Sequence, residues 1–101
     1  MTIKGRMIVF QSDKLVHELN EYEFRATFKR AYIKSKLEDY EEAILDYNRA
    51  IELDSNEGVI FYNRGLAYLK LSKEDEACED FRKAFKLGFS DAQKLIKEYC
   101  L

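Results

Sequence analysis

Few residues in this 101-residue sequence are equipped for covalent or proton-transfer chemistry. There is one histidine, His17, and there are two cysteines, Cys78 and Cys100. His17 has no Cys, Ser or Asp set at a spacing that would build a nucleophile and its base, and it is expected on a partly exposed helix face. Two thiols and one imidazole at scattered positions do not make a zinc site. Carboxylates are plentiful, but Glu41-Glu42 and Glu74-Asp75-Glu76 cluster where helices should begin, and there they complement the helix dipole. Neither a phosphate-cradling Gly-rich loop nor a nucleophile elbow is present. The sequence therefore predicts no enzyme, no metal and no cofactor. What remains is the chemistry of non-covalent recognition. Lysine side chains can attract a carboxylate, and an asparagine amide can hold a peptide backbone.

The elements that must position these groups are helical. Proline is absent, and four glycines leave few helix breakers. Seven Tyr and seven Phe without Trp suggest large rings wedged between helices. Seventeen basic and nineteen acidic residues nearly cancel to a net charge of -2. That balance excludes a general nucleic-acid binder and fits an anionic membrane surface poorly. No apolar run approaches a membrane span, and Met7 to Phe10 is too short for a signal-peptide core. A secreted domain this small would carry a denser cysteine framework. Cys78 and Cys100 are accordingly expected as reduced thiols, and the protein as cytoplasmic.

Sliding the sequence against itself by 34 residues gives an ungapped match. Arg30 meets Arg64, Leu37 meets Leu71, Ala43 meets Ala77, Asp46 meets Asp80, Ala50 meets Ala84 and Leu53 meets Leu87. Phe28 with Tyr62, Ala31 with Gly65 and Tyr47 with Phe81 keep their chemistry. Each unit reads as two helices, at about 24–37 and 40–53, then about 58–71 and 74–87, with boundaries good to a few residues. Asp39 with Glu42, Ser72 with Asp75 and Ser90 with Gln93 are spaced as capping boxes. Gly88 can close a helix in the left-handed conformation. A last helix over about 91–100 carries Ala92, Leu95, Ile96 and Tyr99 as an apolar stripe that would cap the second unit. At the other end, Leu15, Val16, Leu19 and Tyr22 suggest a helix from about Asp13, either running into the first repeat or packing back on it. Met7 to Phe10 could be a short strand or a tail. The chain thus divides into an N-terminal segment at 1–23, repeats at 24–57 and 58–91, and a capping helix at 92–101.

The stretch FYNRGLAYLKLSKEDEACEDFRKAFKLG resembles a tetratricopeptide repeat along its length. Phe61 stands at the family's first aromatic position. Gly65 and Ala31 stand where helices A and B touch, and Tyr68 near the end of helix A. In helix B, Ala77 and Ala43, Phe81 and Tyr47, and Ala84 and Ala50 fill its small, aromatic and second small positions. The closing SDAQKLIKEYC is similar to the ends of short bacterial members. The sequence departs from the pattern at Ser55 and Phe89, where proline is usual, and at Thr27 and Lys34, where aromatics are expected. The resemblance implies an all-α, right-handed α-α superhelix of about five to six helices.

It also implies a concave groove lined by the A helices, which would bind a peptide or helix of a partner protein. The groove residues would be Arg25, Phe28, Lys29, Tyr32 and Lys36 from the first repeat. The second would give Val59, Tyr62, Asn63, Leu66, Leu69 and Lys70. Lys97, with Gln93 and Ile96, would extend the surface. Some members of the family clamp acidic chaperone tails with Lys and Asn. Asn63 matches that clamp, but Phe28 and Tyr32 stand where its first Lys and Asn would be. A second expectation comes from repeat number. Two repeats are fewer than a stable array usually needs, so a homodimer completed by end helices or the N-terminal segment is the alternative. RNA binding would require a more basic surface.

Overall fold

The structure, a computed structural model, describes residues 2–100, with the side chains of residues 14–100. Five helices follow one another: α1 (Thr2–Lys36), α2 (Tyr40–Leu53), α3 (Gly58–Lys70), α4 (Glu74–Lys86) and α5 (Ala92–Tyr99). The second half of α1 packs antiparallel on α2, α3 on α4, and α5 closes the far end.

Two apolar clusters hold the pairs together. Ala31, Ala43, Tyr47, Ala50 and Ile60 form the first, with Phe24, Phe28, Ile51 and Val59 at its margin. Phe61, Ala77, Phe81, Ala84 and Ala92 form the second. Ile60 of α3 sits in the cluster of the preceding pair, so burial is continuous along the stack. The alanines let helix axes approach, and Tyr47 and Phe81, both fully buried, fill the space beside them.

Gly65 marks the closest approach. A Cβ there would lie 2.7 Å from Cε1 and 2.9 Å from Cδ1 of Phe81. Gly65→Ala would gain about 1 kcal/mol of helix propensity. Because the Phe81 ring is fully buried and packed on Tyr62, the clash should outweigh that gain, for a net loss of about 1 kcal/mol. A urea midpoint equal to or above that of the parent chain would contradict this.

The structure decides between some expectations and corrects others. The helix expected from about Asp13 runs into the first repeat, as one of the two readings had it: the first helix of repeat 1 is the end of α1, which runs without a break from Thr2. The region of Met7 to Phe10 is therefore helical, neither strand nor tail. The N-terminal segment does not fold back either, since Leu15, Val16, Leu19 and Tyr22 are all more than half exposed. None of the capping boxes forms. The N-caps of α2, α4 and α5 are Asp39, Lys73 and Asp91, and none makes a side-chain capping bond. The acidic first turns of α2 and α4 remain to meet the helix dipole.

Helix ends are closed instead by main-chain bonds. The amides of Asp39, Lys73 and Phe89 donate to the carbonyls of Lys34, Tyr68 and Ala84 at 2.9 Å. Each closure places a left-handed residue just before the donor: Glu38, Ser72 and Gly88. Only Gly88 announces that conformation by its type. Glu38 and Ser72 adopt it at equivalent positions because the tight helical hairpin demands it.

Cys78 and Cys100 are joined in a disulfide, not held as separate thiols. The cause is packing. Leu95, Ile96 and Cys100 settle on the second cluster, which brings the two Cα atoms to 5.6 Å across 22 residues of sequence.

Candidate functional site

The A-type helices α1 and α3 lie side by side, and a cleft of about 240 Å³ opens between their C-terminal halves. Tyr32, Lys36, Asn63, Leu66 and Lys70 all line it. Ser35, Glu38, Tyr40 and Ala67 complete the wall. These four were not legible as groove residues, because Ser35, Glu38 and Tyr40 lie at or beside the turn where α1 gives way to α2. A ring, an aliphatic side chain and two lysines thus share one concavity. The Lys36 ammonium lies 5.0 Å from the centre of the Tyr32 ring, which holds the cation at the cleft edge. The Asn63 side-chain amide donates to the Val59 carbonyl at 2.9 Å. That bond fixes its orientation and leaves its oxygen and second N–H for a ligand backbone.

The other predicted groove residues go elsewhere. Arg25 lines a separate hollow with His17, Glu21 and Glu57. Lys97 and Gln93 share a third concavity with Tyr62. Lys29 is exposed and lines none of these. Phe28 and Val59 turn into the first cluster, Phe28 with its ring 6.1 Å from that of Tyr47. Tyr62 packs at 5.9 Å on Phe81 and 4.8 Å on Phe89, and Leu69 and Ile96 lean on the second cluster. These side chains serve the packing of the two clusters and line no part of the cleft.

One ion pair spans each hairpin. Arg30 donates from Nε and Nη2 to the two oxygens of Asp46, both at 2.8 Å. Arg64 does the same to Asp80 at 2.8 and 2.7 Å. Such two-point bonds fix orientation as well as distance. Each arginine precedes its aspartate by sixteen residues, and the pairs recur in the repeat register. Their surroundings differ. Arg64 also donates to Asn48 at 2.8 Å, tying the second repeat to the first, and only 19% of its side chain is exposed, against 63% for Arg30. Accordingly, hydrogen bonds from Arg30 hold the Asp46 carboxyl below its ordinary range. Burial pushes that of Asp80 upward against the pull of Arg64.

Among the described residues no group of three or more His, Cys, Asp or Glu is placed to hold a metal ion. Likewise none of the described helices is long and apolar enough to cross a membrane.

Comparison with known proteins agrees with this geometry. A family profile described as TPR repeat matches residues 31–72, and one described as tetratricopeptide repeat matches residues 59–87. The chain is 40% identical over 53 residues to the Hsp70-Hsp90 organizing protein of Triticum aestivum, covering 52% of this chain and 9% of that protein. It is 40% identical over 68 residues to serine/threonine-protein phosphatase 5 of Homo sapiens, covering 67% of this chain and 12% of that protein. The match thus spans only about a tenth of those relatives. A solved structure, the second TPR of Spaghetti (RPAP3) bound to the HSP90 peptide SRMEEVD, superimposes with a TM-score of 0.65 at 26% identity, covering 81% of this chain and 86% of that one. With matched hairpins in one register, buried alanines and rings at the helix contacts, and both profiles in agreement, this chain belongs to the tetratricopeptide-repeat family.

Proposed function

We propose that this chain is a protein-interaction module, not a catalyst, and that it binds a short segment of a partner protein in the cleft between α1 and α3. The observation that carries the reading is the meeting of Tyr32, Leu66, Asn63, Lys36 and Lys70 in one concavity. An apolar side chain of the ligand would lie between Tyr32 and Leu66. Asn63 would pair with its main chain, and the two lysines would favour an acidic residue beside it. The solved relative holds the acidic peptide SRMEEVD, and here Lys36, Lys70 and Asn63 would meet such a segment although Phe28 and Tyr32 stand where the chaperone-tail clamp has its first Lys and Asn.

The test uses that heptapeptide, fluorescently labelled, with a charge-reversed version as control. Tyr62 is a poor site for mutation because its ring braces Phe81 and Phe89. Asn63→Ala combined with Lys70→Glu avoids the core. It is expected to weaken peptide binding by about tenfold or more, with an unchanged helical circular dichroism spectrum. Binding that ignores both substitutions would place the ligand outside this cleft.

A further inference from the structure

α1 carries a second, unpartnered surface. Leu15, Leu19, Tyr22, Ala26 and Ile33 recur at three-, four- and seven-residue steps and so share one face of the helix, with Leu37 just beyond its end. All are exposed, Leu19 by 64% and Leu37 by 74%. This face lies opposite the one that gives Phe24, Thr27 and Ala31 to the core. The repeat register shows what such a face does elsewhere. Its counterparts in α3 are Ile60 and Ala67, at 0% and 2% exposure, covered by the preceding helix pair. Arg64 in that face reaches across to Asn48. Its counterpart Arg30 bonds only to its own hairpin among the described residues. The outer face of α1 is therefore a stacking surface of the superhelix with nothing stacked on it.

We propose that a second copy of this chain covers it, the two α1 helices crossing antiparallel about a two-fold axis near Ala26. The choice of a second copy and of its direction rests on register and charge. Centred on Ala26, an antiparallel pair sets Leu15 against Leu37 and Leu19 against Ile33 of the other copy. The half of α1 that projects beyond its own hairpin then covers the half that α2 supports from behind. Glu18 flanks the stripe toward its N-terminal end, whereas Lys29 and Lys36 flank it on the same side toward the C-terminal end. Antiparallel crossing brings Glu18 near Lys36 and the Tyr22 ring near Lys29 of the other copy. A parallel arrangement would oppose like charges. The resulting contact is isologous and closed, so association stops at the dimer. It leaves Tyr32, Asn63, Leu66 and Lys70 of the cleft between α1 and α3 uncovered and shares only Lys36 with it, and it stands whether or not that cleft binds a peptide.

Sedimentation equilibrium of the purified chain at micromolar concentration should give twice the 12.0 kDa protomer mass. Leu19→Glu with Ile33→Glu lie on solvent-facing positions of the protomer and should keep the helical spectrum. They should raise the dimer dissociation constant on the order of a hundredfold. For direction, Leu19→Cys and Ile33→Cys chains are prepared separately and oxidised alone and mixed. A cross-linked dimer of one chain of each kind, formed only in the mixture, is expected. A monomer throughout the micromolar range, a dimer indifferent to the two glutamates, or cross-links confined to the separate samples would each overturn the proposal.

Discussion

Phe81→Ala is expected to remove about 4 kcal/mol of stability, the upper part of the range for truncating a buried ring. Phe81 has no exposed surface. Its ring fills the space over Gly65 and meets Tyr62, so its loss leaves a cavity where α3 and α4 are closest. Collapse around the hole is limited because the α3 and α4 backbones at Gly65 and the fully buried Ala77 and Ala84 have no side-chain length to extend, and Tyr62 is already packed on Phe89. Domains of this size are stable by only about 5–15 kcal/mol, so the variant should melt far below the parent and expose α5 along with α4. Phe85, one turn further on and 44% exposed, serves as the control. Its replacement by alanine should cost less than about 1 kcal/mol. Thermal melts that move equally for the two variants would show that the second cluster is not the centre of this hairpin.

Arg64→Ala is expected to cost about 3 kcal/mol, because it strands the Asp80 carboxylate, whose side chain is only 5% exposed, without its cation. It also cuts the bond to Asn48 that links the repeats. The ion pair itself is not the source of the stability. Replacing both partners by apolar residues of similar volume, Arg64→Met with Asp80→Leu, should recover most of the loss, since no buried charge is then left alone. The equivalent substitution Arg30→Ala should be felt much less. Arg30 stands mostly in water, and Lys34 remains 3.0 Å from Asp46 to neutralise it. Denaturant titrations of the three variants measure this directly. Equal losses for Arg30→Ala and Arg64→Ala would show that burial does not decide the effect.

The repeat and its packing were readable because they are local and periodic. Ala43, Tyr47 and Ala50 repeat as Ala77, Phe81 and Ala84 at the spacing of a helix face, and such a pattern has one stable use. The ion pairs were half readable. Arg30, Arg64, Asp46 and Asp80 all kept register, yet only the hairpin angle brings residues sixteen apart within bonding distance. Of the residues expected in the groove, only Tyr32, Lys36, Asn63, Leu66 and Lys70 share one cleft. Phe28, Val59 and Tyr62 alternate with these cleft-lining residues at helical steps, and a few tens of degrees of helix rotation decide whether such a side chain faces the cleft or the core.

By itself the sequence determined that this protein is a stack of helical hairpins with 34-residue register, because hydrophobic periodicity and small-residue placement are properties of neighbours along the chain. The tertiary structure alone decided which of those residues share a cleft, that Glu38 and Ser72 take left-handed turns, that Cys78 meets Cys100, and that α1 runs on to present an uncovered face. Each of these depends on how whole helices lean on one another. That is set by the summed packing of both clusters, and no short stretch of sequence carries it.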